Sequence, residues 1–482
     1  MTQYLVTIGL EVHAQILTES KMFCGCSANY AGAAPNTHVC PTCLGLPGSL
    51  PVINQRAIEK VALTGLALNA EIDTDSLVSR KNYTYPDLPS AYQRSQYEDP
   101  LCKGGWLTIR TEKGETKKIG ITRIHLEEDT GKLTHAADGS SLIDYNRSGT
   151  PLMEIVSEPD ISSPEEAKLY FQKLRQILLW IGVNSGNMED GALRCDANVS
   201  VRPVGQKEYG AKVEIKNINS FRFVERALTY EIQRQIEVLE AGGTIQQTTR
   251  GWNELKGITV EQRTKEDADD YRYFPDPDIP PLLIDEAWIE ARRHELPELP
   301  DARAERFISQ YGLSTQDALQ LTDEREVADF FEEVVQAAGA NSGKEVANWI
   351  LGELFRLLKE SGEELSEATK RFTPAHIISV IKLVGSGSIN RAVGKQVFEE
   401  SYRSGESPEE IVKKRGLTQI SDDDTLAAMA REVIEANPKA VSEYRGGKTS
   451  AIQFLVGQMM KRTKGQANPQ VARSVLEKEL GS

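Results

Sequence analysis

The chain has 482 residues, which predicts two to four domains at roughly 100–200 residues each. Its 56 Lys and Arg against 71 Asp and Glu give a net charge of −15, so the chain as a whole repels polyanions, and contact with nucleic acid requires a local basic patch. The N-terminal residues do not resemble an export signal, and no run of about 18 apolar residues indicates a membrane span. We therefore expect a cytoplasmic or organelle-matrix protein, and the cytoplasm is the simpler assignment.

A segment of strict alternation opens the chain. Between residues 6 and 16 the even positions are apolar and the odd ones mostly polar, the pattern of a strand with one buried face. Glu11 and His13 are two residues apart, so both project from the polar face. A carboxylate and an imidazole placed together can hold a divalent metal. A solvated polar face is the simpler interpretation of these two residues alone.

Four cysteines follow the strand at the spacing of a metal knuckle. Cys24-x-Cys26 and Cys40-x-x-Cys43 are separated by a short loop, which suits a tetrahedral zinc site with four sulfur ligands. Such a closed site is structural, because no position remains for a substrate. Reduced cysteines without metal, or a disulfide, are the alternatives.

Two acidic segments come next along the chain. Glu127 and Glu128 lie in the run 127–131, and Glu154 follows a turn through Ser148 and Gly149. Carboxylate oxygens of this kind bind Mg²⁺, especially when a phosphate completes the coordination shell. Together with Glu11 and His13, these segments favour a magnesium site over a solvated polar face.

A helix and a hairpin follow. Ser163-Pro-Glu-Glu166 has the form of a capping box, and Ser220 is a candidate cap for a later helix. Between them, residues 193–202 and 211–216 alternate and predict an antiparallel hairpin. Its polar face mixes cations, amides and carboxylates that can grip a nucleotide phosphate, although a salt-bridged solvent face explains the pattern equally well. The face consists of Arg194, Asp196, Asn198, Ser200, Arg202, Lys212, Glu214 and Lys216.

The chain changes character after the proline-rich segment 274–281, beyond which the pattern is almost entirely helical. We predict an α+β domain at residues 1–292, a helical domain at 293–407 and a helical tail domain at 408–482. From residue 445 onward the chain has seven cationic and two anionic side chains, a charge excess that can bind a polyanion. Patches of this size are often ordinary protein surface. No P-loop and no GxGxxG motif is present. No amidase signature is present either, so if the protein uses ammonia, another chain must generate it.

Several long motifs resemble the B subunits of glutamyl/aspartyl-tRNA amidotransferases, and the resemblance runs from end to end. They occupy residues 8–13, 80–87, 120–129, 146–154, 193–198, 214–220, 269–276 and 464–469. The resemblance implies a cradle domain with a glutamine synthetase-like active-site topology, a helical domain and a tail that contacts tRNA. It also implies a heterotrimer with an amidase A subunit and a small C subunit.

The activity implied by the resemblance is that of a carbon–nitrogen ligase. ATP would phosphorylate the side-chain carboxylate of Glu-tRNA(Gln) or Asp-tRNA(Asn), and ammonia released from glutamine by the A subunit would displace the phosphate. Phosphorylation suits this chemistry because a free carboxylate is a poor electrophile, and a metal neutralises the developing charge.

The resemblance also implies site residues. Catalysis and Mg²⁺ binding fall to Glu11, His13, Glu128 and Glu154, although strand parity alone does not choose between Glu127 and Glu128. ATP binding falls to Lys81, Tyr83, Asp196, Asn198, Ser200 and Lys216. Zinc falls to Cys24, Cys26, Cys40 and Cys43, and tRNA binding to Lys448, Lys461, Arg462 and Lys464.

Two alternatives of other classes remain. A tRNA-binding scaffold could position a partner amidase without catalysing a step itself. A glutamine synthetase-like enzyme acting on free amino acids leaves the basic tail unexplained.

Overall fold

The computed structural model describes residues 3–111, 113–136, 138–264, 270–417, 423–463, 467 and 469–481. The chain divides into two compact units, residues 1–299 and 300–482. The first unit is mixed and mostly antiparallel, and the second is helical, so the predicted α+β class with helical C-terminal domains is confirmed. The finer division at residues 292 and 407 stays a prediction. No described helix is both long enough and apolar enough to cross a membrane.

The first unit contains strands of very different length. Its strands are β1 (Tyr4–Gln15), β2 (Glu71–Ile72), β3 (Asp75–Ser76), β4 (Ser79–Asn82), β5 (Tyr92–Ser95), β6 (Cys102–Lys103), β7 (Trp106–Arg110), β8 (Thr116–Glu128), β9 (Lys132–His135), β10 (Ser141–Asp144), β11 (Pro151–Ser157), β12 (Leu193–Pro203), β13 (Val213–Ile218), β14 (Thr248–Asn253), β15 (Ile258–Thr264), β16 (Phe274–Pro275) and β17 (Leu282–Leu283). Its helices are α1 (Gln55–Ala67), α2 (Pro164–Trp180), α3 (Phe221–Glu240) and α4 (Glu286–Glu295).

One large sheet organises this unit, in the order β15-β14-β13-β12-β1-β11-β8-β6-β2, with β7 also paired to β8. All of these pairs are antiparallel except β13–β14. Strand β1 therefore lies between β11 and β12. Residues directly opposite on antiparallel strands point to the same face, so this register decides which polar side chains meet.

The apolar face of β1 belongs to the main core. Ile8, Leu10, Val12 and Ala14 are fully buried, and helices α2 and α3 pack on this side of the sheet. Burying each of the three larger side chains contributes about 1.5–3 kcal/mol. The two strands predicted from alternation, and the hairpin formed by β12 and β13, are confirmed.

The predicted helix starts are confirmed at both serines. Ser163 Oγ accepts a hydrogen bond from the Glu166 N–H at 3.1 Å, and Ser220 Oγ accepts one from the Phe223 N–H at 3.1 Å. The reciprocal half of the capping box differs from the prediction. Glu166 Oε2 accepts from the Ser162 N–H at 2.8 Å, because the same carboxylate is drawn to Lys117 at 2.7 Å.

The second unit is built from short helices around aromatic side chains. Phe307, Phe331, Trp349, Phe372 and Phe398 are buried at its centre. Farther along the chain, a separate apolar cluster joins the last helices. The helices are α5 (Pro300–Tyr311), α6 (Thr315–Leu321), α7 (Arg325–Ala338), α8 (Gly343–Trp349), α9 (Phe355–Ser361), α10 (Leu365–Ala368), α11 (Pro374–Gly385), α12 (Arg391–Ser404), α13 (Pro408–Arg415), α14 (Asp423–Ala436), α15 (Pro438–Arg445), α16 (Ala451–Arg462) and α17 (Pro469–Gly481), with a 3₁₀ turn at Ala340–Ser342 and a π-helical turn at Ile350–Leu354.

Candidate active site

The polar face of the large sheet brings an imidazole and two carboxylates together. His13 of β1, Glu127 of β8 and Glu154 of β11 place one ligand atom each within 4.8 Å of one another. His13 Nε2 lies 3.5 Å from Glu154 Oε2, because the two residues are directly opposite in the ladder. His125 lies on the other side of Glu154, with Nε2 3.6 Å from the same oxygen.

Glu128, predicted for this cluster, lies elsewhere, and Glu127 takes its place. The Glu128 carboxylate accepts hydrogen bonds from the Arg94 N–H at 3.0 Å and from Arg94 Nη1 at 3.2 Å. The physical reason is the strand period of two, which sends neighbouring side chains to opposite sides. Glu127, His125 and the residues opposite them share one side of β8, and Glu128 does not. A metal or catalytic role for Glu128 finds no support in this geometry.

Glu11 lies on the same face but outside the three-residue cluster. Its Oε1 accepts a hydrogen bond from Asn198 Nδ2 at 2.7 Å, and it stands opposite Asp196 in the ladder. Burial raises the pKa of Glu11, and the nearby Glu154 and Glu214 carboxylates raise it further.

Lys216 supplies a cation to this face. Its Nζ lies 3.4 Å from Glu214 Oε1 and 3.9 Å from Asp196 Oδ2. Burial raises the pKa of Asp196, while the Lys216 ammonium opposes that effect. Ser200 is buried two residues beyond Asn198, whose Oδ1 is buried with no hydrogen-bond partner among the described residues. Of the four hairpin residues predicted for ATP, Asp196 and Asn198 therefore lie beside Glu11. Lys216 lies near Asp196, and Ser200 lies opposite Thr7, farther along β12.

Lys81 of β4 and Tyr83, one residue beyond the end of that strand, lie in the same region. Tyr83 Oη donates to Gln93 Oε1 at 3.1 Å, and Gln93 Nε2 donates to Glu127 Oε1 at 2.6 Å. Burial lowers the pKa of Lys81, but the Glu127 carboxylate leads a group of anions that raise it more, so the ammonium stays charged. Tyr83 is therefore linked to the cluster by hydrogen bonds through Gln93, and Lys81 interacts with Glu127 electrostatically.

Electrostatics keep the cluster carboxylates ionised. Burial raises the pKa of Glu154, but the charges of His125 and His13 lower it more, so it lies well below its usual range. Burial likewise raises the pKa of Glu127, and the Lys81 charge together with the hydrogen bond from His125 and the His13 charge lowers it more. Two ionised carboxylates converging in this way fit a hard divalent cation such as Mg²⁺. His13 would add a nitrogen ligand in its neutral form.

Sequence reasoning missed Arg123 and His125 on this face, and it named Arg194 without its partner Asp129. Arg123 Nη2 lies 3.8 Å from Glu154 Oε1, and Arg194 Nη2 lies 3.0 Å from Asp129 Oδ2. The Nε atoms of both arginines are buried without a hydrogen-bond partner in the part of the chain that the structure describes. Arg123 and His125 have the parity of Glu127, so alternation along β8 was a signal that could have found them.

The four cysteines also converge, although on a separate segment. One sulfur from each of Cys24, Cys26, Cys40 and Cys43 lies within 4.8 Å of the others. The hydrogen bond from Cys24 lowers the pKa of the Cys43 thiol to about 5, and the Lys21 ammonium contributes to that effect. All four are free thiols rather than disulfides, and the set fits a soft tetrahedral metal.

Ion pairs partly neutralise the predicted basic patch of the tail. Lys448 Nζ lies 2.9 Å from Glu443 Oε2, and Arg462 pairs with Glu432. Within the described part of the tail, Lys461 forms no ion pair. Lys464 lies outside the described residues.

Two family profiles match the chain along most of its length. The profile of the GatB/GatE catalytic domain matches residues 6–290, which contain the sheet except the first two residues of β1. The GatB domain profile matches residues 329–480. The matched region defines the class of the first unit as a catalytic domain of this type.

Curated relatives match over nearly the entire chain. The chain is 65% identical over 479 residues, 99% of each chain, to the B subunit of the aspartyl/glutamyl-tRNA(Asn/Gln) amidotransferase of Roseiflexus castenholzii. It is 60% identical over 478 residues, again 99% of each chain, to the corresponding B subunit of Herpetosiphon aurantiacus. The chain belongs to the family of aspartyl/glutamyl-tRNA(Asn/Gln) amidotransferase B subunits, which confirms the resemblance found in the sequence.

Proposed function

We propose that the chain is the subunit of a tRNA-dependent amidotransferase that activates a carboxylate with ATP and then amidates it. Its substrates are Glu-tRNA(Gln), Asp-tRNA(Asn) or both, and the ammonia comes from glutamine hydrolysed by an A subunit in a heterotrimer with a small C subunit. The observation that carries this proposal is the convergence of His13, Glu127 and Glu154 on a sheet face that also bears Lys216. We assign the complex to the cytoplasm.

His13, Glu127 and Glu154 would hold Mg²⁺, with Glu11 close by. The ion, when bound, supplies positive charge to the phosphoryl group in transfer. The ammonium groups of Lys81 and Lys216 would bind ATP phosphate oxygens, and Asp196, Asn198 and Ser200 would orient the nucleotide. Tyr83 would act through Gln93, which holds the Glu127 carboxylate in place.

The proposed reaction has two steps, phosphorylation of the carboxylate and displacement of the phosphate by ammonia. A carboxylate oxygen of the aminoacyl group forms a bond to the γ-phosphorus of ATP, and the bond from that phosphorus to the bridging oxygen breaks to release ADP. Ammonia then attacks the carbonyl carbon of the phosphorylated side chain, and inorganic phosphate leaves as the amide forms. Glu11 is suited to accept the proton that the attacking nitrogen loses, because burial raises the pKa of its carboxyl group.

The remaining residues have supporting roles in this proposal. Cys24, Cys26, Cys40 and Cys43 would hold a structural Zn²⁺. Lys448, Lys461, Arg462 and Lys464 would contact tRNA phosphates, with Lys461 the most available of the described three.

The test is amide formation by the reconstituted heterotrimer carrying Glu154→Ala. We expect ATP-dependent amidation of Glu-tRNA(Gln) to be lost while glutamine hydrolysis by the A subunit continues. The control is Glu158→Ala, four residues farther along the chain. The Glu158 carboxylate lies outside the cluster and accepts a hydrogen bond from Thr122 Oγ1 at 2.8 Å. Undiminished amidation in Glu154→Ala would favour the non-catalytic scaffold instead.

A further inference from the structure

A buried lysine lies beside the four cysteines. Lys21 is 0% exposed, and its Nζ donates to the His38 carbonyl oxygen at 2.8 Å and to the Tyr145 carbonyl oxygen at 3.3 Å. The same nitrogen lies 3.7 Å from Cys43 Sγ. Among the residues that the structure describes, Lys21 forms no ion pair with a carboxylate.

An ammonium group in that position requires a compensating anion. Removing a charge from water is costly unless it is paired, and two carbonyl oxygens satisfy its donors without offering a net negative charge. Among the described residues, the group that contacts Lys21 Nζ and can carry a full negative charge is the Cys43 sulfur. A divalent metal bound by four thiolates retains an excess of negative charge, so a cation at this place stabilises the loaded centre.

We propose that Lys21 is the charge partner and positioning residue of the four-cysteine metal centre. The inference rests on the proposed metal binding and extends it to a residue that is not itself a ligand. Groups that hydrogen-bond to metal ligands orient them and tune their affinity for the metal, and Lys21 does so from the interior side of Cys43.

The same contacts tie the cysteine loop to a catalytic strand. Lys21 holds Tyr145, Ser148 Oγ donates to the Cys43 carbonyl oxygen at 3.2 Å, and the Met22 N–H donates to the Gly149 carbonyl oxygen at 2.7 Å. The turn 145–149 runs directly into β11, which carries Glu154. Metal binding at the cysteines therefore braces the entry of that strand.

The first experiment measures zinc affinity of the full-length chain by competition with a chromophoric chelator. We expect Lys21→Met, which keeps the length and removes the charge, to weaken zinc binding about 10- to 100-fold. The matched control is Lys60→Met, because Lys60 also donates to a carbonyl oxygen, that of Gly182 at 2.8 Å, but belongs to α1 rather than to the cysteine loop. Its zinc affinity should equal that of the parent chain.

A spectroscopic measurement separates electrostatics from a loss of folding. With Co²⁺ in place of zinc, the sulfur-to-metal charge-transfer band of Lys21→Met should move to longer wavelength, because a nearby cation lowers the energy of the sulfur lone pairs. Should Lys21→Met fail to fold, Lys21→Gln is measured instead, since its amide still donates to the carbonyls. An unchanged band and unchanged affinity in a folded neutral variant would overturn the assignment of Lys21.

The two proposals fail in different ways. A parent chain that binds no zinc refutes the metal site, whereas a Lys21→Met chain that binds zinc as tightly as the parent refutes only the role of Lys21. For the brace, hydrogen exchange of residues 145–157 should quicken when a chelator removes zinc, while β12 stays protected. Equal exchange with and without zinc would disprove that link.

Discussion

His13 and Glu154 face each other across two adjacent antiparallel strands, with Nε2 3.5 Å from Oε2. This pair couples the first strand of the chain to one that follows it by about 140 residues. Replacing His13 by Gln should raise the dissociation constant for Mn²⁺ at least about tenfold, equivalent to about 1.4 kcal/mol, because one of three converging ligand atoms is lost. Electron paramagnetic resonance titration measures this change. His135→Gln, on an exposed hairpin, is the control and should bind Mn²⁺ as the parent does.

Glu127 and Glu128 should respond differently to the same substitution. Glu127→Gln removes a charge from the cluster and should weaken Mn²⁺ binding. Glu128→Gln should leave Mn²⁺ binding unchanged and lower the free energy of unfolding by about 1–3 kcal/mol, because Arg94 is 4% exposed and loses an ionic partner. Urea unfolding and Mn²⁺ titration of both variants provide the comparison. Weaker Mn²⁺ binding in Glu128→Gln alone would restore the assignment made from sequence.

In the second unit, Glu332 predicts a pH dependence of stability. Burial raises the pKa of Glu332, but hydrogen bonds from Arg306 and Arg303 lower it more, so its folded pKa lies below the unfolded value. A carboxylate of this kind contributes stability above its unfolded pKa, and that contribution disappears as the pH falls through the folded pKa.

The corresponding experiment compares the parent chain with Glu332→Gln. At pH 7 the variant should be less stable by about 1.5–3 kcal/mol, since the hydrogen bonds to the charged group are weakened. The difference should vanish once the pH falls below the folded pKa. Hydrogen exchange of α7 reports on this unit alone, and a difference that persists unchanged in acid would contradict the prediction.

Lys461 should matter more for tRNA binding than its neighbours. Lys448 and Arg462 already pair with carboxylates, so replacing them by Ala removes a charge that is partly neutralised. Lys461→Ala should reduce the slope of log affinity against log salt by roughly 0.7–0.9, the amount expected for one phosphate contact. Filter binding at several salt concentrations measures the slope. An equal loss for Lys448→Ala would show that the ion pairs open on binding.

The alternation of β1 was enough to predict that Glu11 and His13 share one face of that strand, and the alternation of β12 did the same for Asp196 and Asn198, because strand parity is a local property. The choice of Glu127 over Glu128 depends on how β8 pairs with β11, and pairing between distant segments is set by the packing of the whole sheet. For the same reason, the role of Lys21 could not be predicted: its neighbours Cys43 and Tyr145 are brought together only by folding.

The position of β1 has a consequence for variation in this protein. Its even residues fill the core and its odd residues line the reactive face, so shifting it by one position would exchange the two sets. An insertion or deletion within β1 would therefore reduce folding stability and catalytic activity together. A length change in this strand that impairs only one of the two is not expected. Natural variants are expected to place length changes in the connecting loops and to leave this strand intact.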